Sequence, residues 1–170
     1  MSTASKILTV FDYGKTLIDG VADYKVRDLV STPIPDYISQ RYYSESLDWI
    51  GYMQGVFDML FEQGLSSTDI RHQVEKISMV DGMHELFQYL HKNQQIFEVV
   101  IISDSNSQFI GWTLQHYGIR SDAIYANPGE VSDDGRLIVK PFHYQDWCEH
   151  STKNMCKGKK VIKIILLVFY

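Results

Sequence analysis

A chain of 170 residues with 45% hydrophobic and 22% charged side chains has the make-up of one globular domain, with room for a small inserted subdomain. Its formal net charge of -5 gives no basic field for a polyanion, and the basic residues are scattered except near Lys153 to Lys160, so nucleic acid is not an expected partner. The polar opening MSTASK lacks a leader's plan and the cysteines are two, Cys148 and Cys156, which points to a reducing, cytoplasmic setting.

In chain order, Ile7-Leu8-Thr9-Val10-Phe11 is a continuous apolar run that breaks at Asp12, the pattern of a strand buried on both faces of a parallel sheet. Trp49, Met53, Val56, Phe57, Leu60 and Phe61 recur at spacings of three and four, which predicts a helix with an apolar stripe. Gly64 stops it, the Ser66-Ser67-Thr68-Asp69 stretch caps a second helix carrying Ile70, Val74 and Ile77, and Asp81-Gly82 punctuates the chain before a third with Met83, Leu86, Phe87 and Leu90. A second buried strand, Phe97 to Ile102, breaks at Ser103-Asp104.

Ser105 to Tyr117 then reads as a helix closed by Gly118, followed by a strand from Ala123 to Ala126. The turn clusters Asn127-Pro128-Gly129 and Asp133-Asp134-Gly135 set up a small hairpin through Val131 and Leu137 to Val139. The last apolar run, Val161 to Tyr170, is far short of the roughly 20 residues a membrane span needs, and a buried strand is expected there. The plan is α/β: a Rossmann-like parallel sheet with an inserted helical cap, residues 1–19 and 81–170 forming the core and 20–80 the cap.

The carboxyl ends of neighbouring parallel strands open onto one crevice, so Asp12 and Ser103-Asp104 are expected to converge there. An Asp after a strand is, taken alone, most often a cap or turn residue. However, Phe11-Asp12-Tyr13-Gly14-Lys15-Thr16 resembles the first motif of the haloacid dehalogenase superfamily, hydrophobic-D-x-D-x-T, and Ile101-Ile102-Ser103-Asp104-Ser105-Asn106 resembles its second. Asp19 and Asp23 in D-x-x-x-D, Asn127-Pro128, Pro141-Phe142-His143 and Asn154-Met155-Cys156-Lys157 are similar to the branch acting on pyridoxal phosphate, phosphoethanolamine and phosphocholine.

The resemblance implies a phosphatase of a small phosphorylated metabolite, working through an aspartyl-phosphate on Asp12. It implies phosphate contacts from Thr16, Ser103 and a lysine, for which Lys157 and Lys159 both qualify and Lys157 is assigned. Asp23 and Asp104 fall at positions that shape substrate choice. Mg²⁺ is the implied cofactor, held by Asp12 and the backbone carbonyl of Gly14.

Gly14 stands where the family places its general acid and base, whose proton transfer supplies about 10²–10⁴ in rate. No G-D-x-x-x-D metal signature follows, and the last run no longer resembles the branch. The alternative is therefore a truncated or catalytically impaired phosphatase-like chain that lacks its last strands. Two thiols beside His143 and His150 also allow zinc, although buried or idle thiols suit them better.

Overall fold

The computed structural model describes residues 6–43 and 48–169. Strand β1 (Ile7–Phe11) leads into helices α1 (Ala22–Arg27), α2 (Asp36–Tyr43), α3 (Trp49–Glu62), α4 (Ser67–Glu75) and α5 (Met83–Lys92). Strand β2 (Phe97–Asn106), helix α6 (Ser107–Tyr117) and strand β3 (Ala123–Asn127) follow, then β4 (Gly129–Val131), β5 (Leu137–Val139) and α7 (Lys157–Phe169). Among the described residues β1, β2 and β3 form a parallel sheet with β2 at its centre, and β4 and β5 form an antiparallel hairpin.

The central strand explains the layering. Successive side chains of a strand point to opposite faces, so Val99 and Ile101 enter the main core while Val100 and Ile102 pack with Met155 and Ile164 on the other face. β1 was expected to be buried on both faces like β2, but it lies at the end of the strand order, and Ile7 and Val10 remain 55% and 39% exposed.

The helix punctuation works as the side chains dictate. Asp48 caps α3 by accepting the Gly51 N–H at 2.8 Å. Ser66 and Asp69 form a capping box at α4, with the Ser66 N–H donating to Asp69 at 2.8 Å and the Thr68 N–H to Ser66 at 3.3 Å. Gly118 closes α6 with φ at 63°, the left-handed region a glycine enters without steric cost.

Three expectations need correction. The final apolar run is not a strand but helix α7: Val161 and Ile164, three residues apart, turn toward the sheet, while Ile162 is 60% and Ile165 41% exposed, a period of three to four that alternation cannot produce. Its last residue, Tyr170, lies outside the described residues. Helix α6 starts at Ser107 rather than Ser105, because Ser105 and Asn106 stay extended and the Asn106 side chain accepts the Phe109 N–H at 3.0 Å as its cap. Helix α4 ends at Glu75, so Ile77 is buried just beyond it. Among the described residues no helix is long and apolar enough to cross a membrane.

Replacing Ile101, fully buried, by Ala should cost roughly 2–5 kcal/mol in denaturant unfolding. Ile7→Ala, at a position 55% exposed, should cost less than about 1 kcal/mol. Equal losses at the two positions would contradict the placement of the core.

Candidate active site

The parallel register of β1 on β2, from Ile7 opposite Phe97 to Phe11 opposite Ile101, makes both strands leave the sheet at one end. Asp12 follows the first, and Ser103, Asp104 and Ser105 lie at the end of the second. All four border one cavity of about 390 Å³, together with Tyr13 and Gly14. The wall formed by the inserted segment consists of Val21, Ala22, Asp23, Tyr24 and Trp49, and Thr152 borders the remaining side.

The turn after β1 is braced rather than loose. Asp12 Oδ1 accepts the Tyr13 N–H at 2.7 Å, and the Tyr13 carbonyl takes the N–H groups of Leu17 and Ile18 at 2.9 and 3.2 Å. Lys15 holds φ at 57°, an unusual conformation for a residue with a side chain. The fully buried Tyr13 ring ends in a 2.7 Å hydrogen bond between its hydroxyl and that of Thr113. Burial pushes this phenol well above its ordinary pKa, against the Thr113 bond, so it serves as a neutral peg.

The tip of β2 is clamped by a buried amide. Asn127 donates to the carbonyls of Asp104 and Ser105 at 2.6 and 3.2 Å, and its oxygen accepts from Phe142 N–H and Asn154 Nδ2, both at 2.9 Å. Gln145, also fully buried, organises the next loop, donating to the carbonyls of Cys148, Ser151 and Thr152 at 3.1, 3.2 and 2.8 Å. These two amides brace the loop that leads to Lys157, whose ammonium pairs with Asp12 and Asp104. Sequence reasoning gave neither a role, since a single buried amide in a polar loop carries no periodic signal; the Asn127-Pro128 string was the only pointer.

Lys157 Nζ lies 2.7 Å from Asp12 Oδ2 and 3.2 Å from Asp104 Oδ1. Burial pulls the ammonium pKa down, but the Asp12 hydrogen bond and the two carboxylate charges outweigh it and hold it above its ordinary value. Lys159 instead sits over the Trp147 ring at 3.9 Å, so of the two candidate lysines it is Lys157 that reaches the carboxylates. The structure thus brings Asp12, Gly14, Asp23, Ser103 and Asp104 to one cavity, with Lys157 ion-paired to two of them from outside its lining. Thr16 sits half-buried in the same turn, its N–H 3.4 Å from the Tyr13 carbonyl, but off the cavity wall.

Asp23 is the unusual member. It is only 6% exposed, and its Oδ2 accepts the Ser105 hydroxyl at 3.2 Å. Burial, reinforced by the negative charge of Asp104 and only partly offset by the Ser105 bond, pushes its carboxyl up to about 7.

Asp12 and Gly14 both border the cavity, and a carboxylate with a peptide carbonyl is the kind of oxygen donor Mg²⁺ takes alongside water and phosphate. Among the described residues no three His, Cys, Asp or Glu side chains gather as a metal site. Cys148 and Cys156 are free thiols; Cys148 Sγ donates to Ser151 Oγ at 3.3 Å, and the Cys156 N–H to His143 Nε2 at 3.3 Å.

The family described as "Putative Phosphatase" matches residues 7–167. A pyridoxal phosphate phosphatase of Homo sapiens is 32% identical over 167 residues, 96% of this chain and 66% of the relative. A phosphoethanolamine/phosphocholine phosphatase of Gallus gallus is 33% identical over 165 residues, 93% of this chain and 59% of the relative. The chain therefore spans just under two thirds of the length of these relatives. A solved phosphoserine phosphatase with a phospho-aspartyl intermediate analogue aligns at a TM-score of 0.59 and 18% identity over 96% of this chain and 72% of that one, a likeness of fold.

The Asp23 carboxyl, near 3.9 when unfolded, is raised on folding, so the stability tied to its protonated form is full below about pH 4 and lost as pH rises through 7. Asp23→Asn should accordingly gain stability over the parent chain between pH 5 and pH 8, by on the order of 3 kcal/mol. Urea unfolding at the two pH values measures this, and a pH-independent difference would contradict the burial assigned to Asp23.

Proposed function

The chain belongs to this phosphatase family, within the haloacid dehalogenase superfamily, and from that premise we propose that it hydrolyses the phosphate ester of a small metabolite such as pyridoxal phosphate. The observation that carries the reading is the Lys157 ammonium 2.7 Å from Asp12 at the mouth of two parallel strands. A carboxylate held beside a cation at a cavity lined by hydroxyls is equipped to attack a phosphorus whose negative oxygens that cation has drawn in.

In this reading Asp12 is the nucleophile. Attack of one of its oxygens on phosphorus breaks the ester bond and leaves a phosphoryl group on Asp12, which water then removes. Lys157 offsets the charge of the equatorial oxygens, and the Ser103 hydroxyl, which accepts the Ser105 N–H at 3.2 Å, contacts one of them. Thr16 steadies the Asp12 turn from just outside the wall. Asp104, shared with Lys157, and Asp23 face the organic part of the substrate. Mg²⁺ belongs to the proposal: Asp12 and the Gly14 carbonyl would hold it with water and phosphate, and it would neutralise part of the phosphoryl charge. A cytoplasmic setting completes the reading, in keeping with the free thiols.

Gly14 leaves the protonation of the leaving oxygen without the side chain that the family places here. A Cβ at Gly14 would meet nothing nearer than the Gly20 carbonyl oxygen at 3.5 Å and Val21 Cγ2 at 3.9 Å, ordinary contact distances, so the backbone there admits a side chain's first carbon. Gly14→Asp should raise kcat on alkyl phosphates by no more than about tenfold, and by less on p-nitrophenyl phosphate, whose leaving group needs no proton. Asp12→Asn should abolish release of inorganic phosphate from pyridoxal phosphate and from every other ester the parent chain cleaves. Turnover that survives Asp12→Asn would overturn the assignment.

A further inference from the structure

We infer that Asp23 is a catalytic residue in this chain, giving the leaving oxygen the proton that Gly14 cannot supply. The inference rests on the phosphatase reading and goes beyond the substrate contact assigned to Asp23 there. Its basis is the division of the cavity. Asp12 and Lys157 mark the end where phosphorus is attacked, and displacement in line sends the leaving oxygen to the opposite side. The lining that does not come from the strand tips includes Val21, Ala22, Asp23, Tyr24 and Trp49, and in that group Asp23 is the one carboxyl among the described residues.

The neighbouring carboxyl groups are committed elsewhere. Asp12 is the nucleophile, and Asp104 is ion-paired with Lys157 at 3.2 Å. Among the described residues no ion pair holds Asp23; the Ser105 hydroxyl at 3.2 Å orients it, and Ser105 in turn donates its N–H to Ser103, tying the acid to the phosphate cradle. The charged and titratable groups bordering or closing the same space are Asp12, Tyr13, Asp104 and Lys157 from the core and Tyr24 from α1 itself. Of these, the Asp104 charge acts on Asp23 most, and it favours the protonated acid. Burial with a raised carboxyl pKa suits a group that must hold a proton near neutrality and then give it up.

The step balances. An Asp12 oxygen forms a bond to phosphorus as the ester P–O bond breaks; the electron pair goes to the leaving oxygen, which takes the Asp23 proton and departs as the alcohol. Asp23, now a carboxylate, accepts a proton from the water that attacks the aspartyl-phosphate from the vacated side. The P–O bond to Asp12 breaks, the Asp12 carboxylate is restored, and inorganic phosphate leaves with Asp23 protonated again.

The test compares two esters, glycerol 2-phosphate and p-nitrophenyl phosphate, in the full chain. The first has a poor leaving group and no cation; the second leaves without needing a proton. Asp23→Asn should lower kcat on glycerol 2-phosphate by about 10²-fold or more, with less than about a tenfold loss on p-nitrophenyl phosphate. Gly14→Asp added to Asp23→Asn should recover at least about tenfold on glycerol 2-phosphate, since it restores an acid. Ser105→Ala, which only frees the carboxyl, should show the same ester preference at smaller size and serves if Asp23→Asn fails to fold. Equal losses on both esters, a change confined to KM, or no rescue by Gly14→Asp would overturn the role of Asp23. Failure of the parent chain to cleave either ester would overturn the phosphatase reading itself and the inference with it.

Discussion

A single ammonium group, that of Lys157, determines what the carboxyl end of this sheet can do. Parallel pairing of β1 and β2 places Asp12 and Asp104 at adjacent strand tips, where two negative charges repel, and Lys157 resolves the conflict by reaching 2.7 Å from one and 3.2 Å from the other. The pair is partly exposed, with 36% and 40% of the Lys157 and Asp12 side chains accessible, so it contributes little to stability. Its importance is positional. Three segments separated by most of the chain meet there, and in the proposed reading a phosphoryl group would meet a cation already seated beside the carboxylate that receives it.

The arrangement depends on buried amides as much as on charges. Asn127 holds the β2 tip by two carbonyls, and Gln145 gathers three more carbonyls of the loop before α7. Each buried carbonyl left without a donor would cost about 1–3 kcal/mol, which explains why such loops are built around a side chain that can satisfy several at once. The segment between β1 and β2 adds apolar surface: the Tyr24 ring stands edge-on to Trp49 at 5.7 Å, on the same lining as the buried Asp23. Two carboxyls within one cavity are thereby given opposite settings, Asp12 beside a cation and Asp23 shielded from water, a contrast from which acid and nucleophile roles can be divided.

Much of this was legible in the residues before any coordinates. Strand β1, the α3 stripe, the Ser66 cap and the Gly118 stop were readable because each is a local signal: an unbroken apolar run, a period near 3.6, or a residue whose side chain or conformational freedom ends a helix. Asp12 and Ser103-Asp104 were readable because two apolar runs break into polar residues at the point where parallel strands end. Helices α1 and α2 were not, being six and eight residues long and mixed in polarity. The apolar run of α7 resembles a strand when its apolar residues alone are counted, whereas Lys157, Lys160 and Lys163, at a spacing of three, carry the helical period. The choice between Lys157 and Lys159 depended on loop geometry that Gln145 imposes over a long range, and the burial of Asp23 depended on Ser105, 82 residues away in sequence.

The most direct measurement is mass spectrometry of the chain quenched in acid during turnover of a phosphate monoester. The account predicts a phosphoryl adduct on the peptide that contains Asp12, present in the parent chain and absent from Asp12→Asn. Turnover with the phosphoryl group on another residue, or continued turnover by Asp12→Asn, would contradict it.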